Sequence, residues 1–486
     1  MTNLPQGDGF SLERTHLVGV GGAGMSAIAR ILVDRGLAVS GSDAKGSHVV
    51  TGLAARGVRT AIGQRAENLD LLDGGPTAVV ISTAIHPDNP ELVAARARGI
   101  PVVRRALALA ALMRGYRSVC VAGTHGKTST TSMLTVALQH AGVDPSFAIG
   151  GELNESGTGA HLGSGDVFVA EADESDGSFL AFEPHGAIIT NIEPDHLDHH
   201  GSAEAYALVF QDFVEGIQPA GFLVACSDDS GVRALLALLG VGAPRVIRYG
   251  REPGADVLLA DIQPRGHGTS STVTFNDERS VQLVIDTPGA HMAMNATAAL
   301  AAGVALGLDA EVMAAGLTRY TGVRRRFEYK GRAGGVVVYD DYAHHPTEVA
   351  AQLEAARTVV SAGRLVVVFQ PHLYSRTQTF ATQFGRALAA ADLVIQMDVY
   401  GAREQPRQGV SGQLIVDAIP PGRTRVVYEP HYSTTASTVA GLVRPGDVVI
   451  TMGAGDVTMI GPELLRLLES RVDQAPSTEE HPGDSQ

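Results

Sequence analysis

Residues 118–140 read SVCVAGTHGKTSTTSMLTVALQH. A β-branched run, SVCVA (118–122), meets a glycine-containing turn, GTHGKTST, and then a Leu/Ala/Met-rich stretch of helical character. Strand, turn and helix with a lysine at the helix start make a phosphate loop. The glycines let backbone N–H groups surround phosphate oxygens, Lys127 adds a positive charge, and Thr128 is placed to ligate Mg²⁺. The run departs from G-x-x-x-x-G-K-[ST], because Val121 occupies the first glycine position; it is a shorter loop of the same kind. Binding of a nucleoside triphosphate is the expectation.

Outward from this loop, short apolar runs alternate with helical stretches, the pattern of parallel α/β units. HLVGV (16–20), LAVS (37–40), AVVIS (78–82) and IPVV (100–103) form a first group. SVCVA, DVFVA (166–170), AIIT (187–190) and FLVAC (222–226) form a second, followed by an antiparallel-looking patch around VLLADIQ and STVTF. VVVYD (336–340), RLVVVF (364–369), LVIQM (393–397), RVVYE (425–429) and DVVITM (447–452) form a third. The grouping predicts domains at 1–113, 114–322 and 323–472, with a disordered polar tail at 473–486. A length of 486 residues suits three domains of about 150 each.

Hydrophobic residues make up 44% and charged residues 18%, so large cores can be buried. The net charge of −15 argues against nucleic acid or anionic membrane as a bulk partner, while leaving room for a local cationic pocket. No apolar run is long enough to span a bilayer. The opening MTNLPQGDGFSLERTH lacks the features of an export signal, so a cytoplasmic protein is expected. Two cysteines, Cys120 and Cys226, are too few for a disulfide framework. Lysine occurs only at positions 45, 127 and 330, with arginine supplying the other basic residues.

The first strand runs into GVGGAGMSAIAR, where Gly19, Gly21 and Gly24 satisfy G-x-G-x-x-G, and Asp43 ends the next strand. By itself this reads as a nicotinamide dinucleotide site, as a site for another diphosphate, or as a ligand-free glycine turn. EADESD (171–176) puts Glu171 and Asp173 at the end of a strand beside the phosphate loop, to hold Mg²⁺ or to form a solvated acidic loop. In NIEPDHLDHHG, His196, His199 and His200 fit an imidazole assisting a second Mg²⁺, a surface cluster, or a zinc site lacking a second ligand group. Arg324 to Arg326 are either a solvated run or a phosphate clamp. Asp340, Asp341, Tyr342, His344 and His345 follow a strand, where α/β folds place ligand groups. Arg376 starts a helix, either to fix a substrate carboxylate or to cap and pack.

The ordered runs GVGGAGMSAIA, GTHGKTST, EADESD, TNIEPDHLD, PGAHMAMNATAA, YTGVRRRFE, DDYAHHPTE, FQPHLYSRT and MGAGDV together resemble the Mur ligase family, over about residues 12 to 470. The resemblance implies an α/β chain of three domains: Rossmann-like, central P-loop ATPase-like, and a C-terminal Rossmann-like domain. It implies a carboxylate–amine ligase that uses ATP and two Mg²⁺ ions, and that joins L-alanine to UDP-N-acetylmuramate through an acyl phosphate.

By the same resemblance, Gly21, Gly22, Ala23, Gly24, Met25, Asp43, Ser82 and Thr83 line a UDP-sugar site. Gly123, Thr124, His125, Gly126, Lys127, Thr128 and Ser129 hold the ATP phosphates, with Asn295, Arg326, Asp340 and Asp341 around the nucleotide. Thr128, Glu171 and His196 hold magnesium, and Tyr342, His344 and Arg376 receive L-alanine. Lys127, Glu171, His196 and His344 are the catalytic candidates. Three departures stand out: Gln64 where relatives often carry His, Met292 where they read Asn after His, and no lysine between Lys127 and Lys330 to be carbamylated. The rivals are a family member that recycles whole muramyl peptides, a nicotinamide-dependent dehydrogenase and a silent scaffold.

Overall fold

The computed structural model describes residues 9–360, 362–402 and 404–474. Residues 475–486 of the expected disordered tail lie outside them, and Ile460–Gln474 is helical. The chain divides into two compact units, one of residues 1–286 with 290–323, the other of residues 287–289 with 324–486.

The larger unit holds two sheets. The first is wholly parallel, in the order Arg59–Ile62, Ala38–Asp43, Arg14–Val18, Ala78–Ile81, Val102–Arg104. Chain order reverses at Arg14–Val18, so the crevice beyond the strand ends there is the natural ligand position. This first strand was expected at 16–20. It stops at Val18 because Gly19 turns to φ +78° and the Gly19 and Val20 amides both donate to Ser42 O, at 2.8 and 2.9 Å.

The second sheet has ten strands. Its parallel centre runs Arg245–Gly250, Phe222–Cys226, Gly186–Ile189, Arg117–Ala122, Val167–Glu171, Ser146–Ala148. The antiparallel patch is a ribbon of Val257–Arg265, Gly268–Phe275 and Ser280–Ile285. Arg117–Ala122 lies between Gly186–Ile189 and Val167–Glu171, so the loops after all three emerge side by side. The helix Lys127–His140 is buried from Thr128 to Leu138 although it is rich in Ser and Thr. Its hydroxyls donate back to the preceding turn, Thr131 to Lys127 O at 2.8 Å, Ser132 to Thr128 O at 2.7 Å and Thr135 to Thr131 O at 2.8 Å. These three hydroxyls stay satisfied without water, whereas the buried Thr130 hydroxyl has no partner among the described residues.

The smaller unit is one sheet, with Glu328–Ala333 antiparallel at an edge. The parallel strands Val336–Asp341, Val448–Met452, Leu365–Phe369, Leu393–Gln396 and Arg425–Tyr428 follow in that order. Apolar clusters cover both faces, as a parallel sheet requires. At the sheet's amino end Asp447, 3% exposed, accepts from Arg364 Nη2 at 2.6 Å and from the Arg444 amide at 2.8 Å. Burial works against its charge, but these donors hold the carboxyl below its usual range. A depressed carboxylate stabilises the fold above its unfolded pKa and loses that contribution as pH falls through the folded value. Asp447→Asn should thus cost about 2 kcal/mol at pH 7, a penalty that shrinks below pH ~4. Denaturant melts at the two pH values check this; an equal penalty at both would refute it.

Among the described residues no helix is long and apolar enough to cross a membrane.

Candidate functional site

In the phosphate loop, Gly123 (φ +133°) and Gly126 (φ +81°) adopt backbone conformations that side chains resist. A Cβ on Gly123 would collide with Thr190 Oγ1, and one on Gly126 would come within 2.7 Å of Asn295 Oδ1. Lys127 begins the helix, whose N-terminus has no side-chain cap. Uncapped amides at the positive end of a helix dipole suit an anion. The loop is braced from the next strand's end by residues that sequence reading did not single out. Thr190 Oγ1 donates to His125 O at 2.6 Å, and the His125 amide donates to Asn191 Oδ1 at 2.8 Å. The Glu193 amide donates to Thr124 Oγ1 at 2.9 Å. These residues lie in the TNIEPDHLD run, but their partners are 65 to 69 residues away, so the run by itself does not show the bracing.

Lys127 Nζ donates to Gly123 O at 2.6 Å and Thr124 O at 3.1 Å, and pairs with Glu174 at 2.8 Å. Burial opposes its charge, yet Glu174, Asp173 and Glu171 together raise its pKa. Glu174, within EADESD but given no role there, is 1% exposed, and its Oε1 accepts from Tyr206 at 3.4 Å. Burial lifts the Glu174 carboxyl to about 7, with the lysine opposing and Asp173 adding to the rise. Thr128 Oγ1 donates to Glu171 Oε1 at 2.9 Å, so the structure brings these two expected magnesium ligands together. The three histidines differ in their partners, although the rings of His199 and His200 pack edge-on at 4.9 Å. His196, at φ +52°, has Nε2 3.6 Å from Asp195, His200 Nε2 donates to Glu174 O at 3.0 Å, and His199 is exposed. Asn295, 8% exposed, stands beside Gly126, and its Nδ2 lies 3.8 Å from Met292 Sδ.

At the first sheet's reversal point, the helix Ala23–Asp34 starts without a side-chain cap or an acidic first turn. Gly22 and Ala23 are exposed, Gly21 and Gly24 half-buried, and Met25 buried. Asp43 Oδ2 accepts the Gly21 amide at 2.9 Å, so this carboxylate holds the glycine loop's own backbone. Ser82 and Thr83 follow the neighbouring strand Ala78–Ile81. Gln64 Oε1 accepts from Asn89 at 2.7 Å.

On the smaller unit, Tyr342 lies under Arg325 and Arg326, with guanidinium-to-ring distances of 4.7 and 5.3 Å. His344 packs edge-on to Tyr342 at 5.2 Å, and the row of rings continues through His372 to Tyr400. His345 instead caps the helix Pro346–Val359. Arg376 is buried on the helix Tyr374–Leu388. Asp340 is fully buried and accepts from Thr451 and Thr458, each at 2.6 Å. Asp341 accepts the Phe327 and Ala343 amides at 2.7 Å, and burial raises it to about 6 against the pull of Arg326. Both carboxylates thus anchor the loops around Tyr342. Arg325, Phe327 and Leu373 all have positive φ, a concentration of strained backbone at these loops.

Three family descriptions match in succession: Mur ligase family, catalytic domain, over residues 14–117; Mur ligase middle domain, 121–303; and Mur ligase, glutamate ligase domain, 325–455. A UDP-N-acetylmuramate–L-alanine ligase of Saccharopolyspora erythraea is 62% identical over 461 residues, covering 94% of each chain. The crystal structure of a UDP-N-acetylmuramate–alanine ligase from Thermotoga maritima superposes with a TM-score of 0.77 at 28% identity, covering 94% of this chain and 99% of that one. A murein peptide ligase from Psychrobacter arcticus superposes with a TM-score of 0.70 at 25% identity, over 94% and 99%. Three consecutive domain matches and that identity over nearly the whole length establish that the chain belongs to the Mur ligase family.

Proposed function

We propose that this protein is an ATP-dependent ligase that joins the amine of L-alanine to the lactyl carboxylate of UDP-N-acetylmuramate, the first peptide step of peptidoglycan precursor synthesis, in the cytoplasm. The observation that carries the reading is Lys127 on an uncapped helix start, beside the Thr128–Glu171 pair. Relatives of that name at 62% and 56% identity support the choice of substrates. The sugar nucleotide is assigned to residues 1–113, ATP to 114–322, and L-alanine to 323–472.

The reaction begins with anionic groups approaching one another. A lactyl carboxylate oxygen bonds the γ-phosphorus of ATP as the bond to ADP breaks, leaving an acyl phosphate. Lys127 and the amides of Gly126 to Ser129 supply the positive potential that this needs. The hydroxyl of Thr128 and the carboxylate of Glu171, hard oxygen donors already in contact, fit magnesium, with His196 as a third ligand. When bound, the ion neutralises phosphate charge. The free amine of L-alanine then attacks the acyl carbon and phosphate leaves.

A base takes the amine proton, and His344 is suited to it. Its Nδ1–H donates to Tyr342 O at 3.0 Å, and that tautomer leaves the lone pair on Nε2. His196 is the alternative base, a role that excludes its serving as a magnesium ligand, since one lone pair cannot do both. Tyr342 and Arg376 are assigned to the alanine carboxylate.

The test is ADP release with ATP, Mg²⁺ and UDP-N-acetylmuramate, comparing L-alanine with a peptide beginning in L-alanine. Release strictly dependent on free L-alanine is expected. Dependence on the peptide would favour the recycling ligase, and no release with either would overturn both.

A further inference from the structure

Arg105 begins the helix Arg105–Met113, which has no acidic residue in its first turn and no side-chain cap. A cation at that position faces the positive end of the dipole, so helix stability disfavours it. The side chain, 31% exposed, reaches two loops. Its Nη2 pairs with Asp173 at 3.1 Å, and its Nη1 lies so close to Gly24 that a Cβ there would overlap it. Gly24 belongs to the first-domain glycine loop; Asp173 belongs to the acidic loop whose charge acts on Lys127. Residues 128–232 contain neither Lys nor Arg, so a cation for this acidic loop has to come from outside that stretch.

We infer that Arg105 binds the diphosphate of the sugar nucleotide, and that its exchange between this diphosphate and Asp173 couples occupancy of the glycine loop to the phosphate loop. The inference rests on the UDP-sugar assignment above. With the first domain empty, the guanidinium is neutralised by Asp173. A diphosphate at the start of the helix Ala23–Asp34 meets the Nη1 edge of the fork, competes for the charge, and leaves Asp173 to interact more strongly with Lys127. A planar fork can face two anions at once; an ammonium cannot. Coupling of this kind is reciprocal, so each ligand changes the other's affinity by one and the same factor.

Calorimetry of the full chain with UDP-N-acetylmuramate and ADP, each alone and in the other's presence, measures that factor. In the wild type it should lie well away from one, within about 5- to 150-fold. Arg105→Ala should weaken the sugar nucleotide by about tenfold or more, the scale of a lost charge-assisted bond. It should also bring the factor to one and shift the affinity for ADP alone to that of the sugar-nucleotide-bound wild type, because Asp173 is released to Lys127 in both. Arg105→Lys keeps the charge and the stem, so it should fold like the wild type by thermal melting and still lose the coupling. Unchanged sugar-nucleotide affinity in Arg105→Ala would overturn the diphosphate role. Weakened affinity with an intact factor in both variants would overturn the exchange. If the wild type itself binds no UDP-N-acetylmuramate, the underlying functional assignment fails instead.

Discussion

Lys127→Ala is expected to lower ADP release by on the order of 10³-fold, the scale seen when one aligned charge is removed from a transition state. Binding of UDP-N-acetylmuramate should stay close to wild type, because Lys127 contacts the phosphate loop and Glu174 rather than the glycine loop 19–24. A second effect follows from burial. Glu174 is 1% exposed, and an ionised buried carboxylate without its partner costs about 3–5 kcal/mol unless it takes up a proton. With the ammonium gone, the Glu174 pKa rises further above its unfolded value. A raised carboxyl stabilises the fold below the unfolded pKa, and that contribution is lost as pH rises through the folded value. The variant should therefore melt progressively earlier from pH 6 to pH 9. Lys127→Ala with Glu174→Gln should recover the melting temperature and none of the turnover. Phosphate-release assays and melts across pH decide the matter; unimpaired turnover in Lys127→Ala would sink the phosphate-loop assignment.

Gly123→Ala should weaken nucleotide binding by on the order of 10²-fold, since a misplacement of about 1 Å suffices for a loss of that size. The added methyl meets Thr190 Oγ1 and comes within 3.1 Å of the Asn191 backbone, at a residue with φ +133°. Thr190 cannot yield without releasing His125 O, the contact that holds the loop open. The strained backbone should cost about 2 kcal/mol in addition. Gly142→Ala is the matched control. It also has positive φ, at +76°, but a Cβ there meets nothing within 4 Å. It should lose about 1 kcal/mol of stability and no nucleotide affinity. Equal affinity losses in the two variants, measured by ADP titration, would show that the collision with Thr190 is irrelevant.

The central strands of each sheet could be read from sequence because burial on both faces demands unbroken apolar runs, as in VVVYD, RLVVVF and DVVITM. Arg59–Ile62 and Glu328–Ala333 carry no such run for the converse reason: they are edge strands, RTAI and EYKGRA, exposed or half-buried at every position but Ala333. Arg245–Gly250 lies inside its sheet, yet RVIRYG is exposed or half-buried over its first four residues and carries no core pattern. The candidate site divides along a similar line. Lys127, Thr128 and Glu171 lie in contiguous runs whose spacing carries the chemistry. Arg105, Glu174, Thr190 and Tyr206 become visible only when parallel neighbours bring distant segments together. Asp340 and Asp341 were expected to face nucleotide. Both are buried among hydroxyl and amide donors, contacts that their place in the sequence does not reveal.

The scarcity of lysine gives the protein a built-in reporter. Lys45 is exposed, Lys330 pairs with Glu328 at 3.0 Å, and Lys127 is the single ε-amine between them. Amine-acylating reagents therefore address one position in the whole central stretch, with Lys45 as an internal reference for reagent strength. Trypsin cuts after Lys127 and next after Arg233, so acylation of Lys127 fuses two otherwise separate peptides and shows up as a mass shift. Nucleotide occupancy of the unlabelled, full-length protein can then be followed through the chemistry of one nitrogen atom.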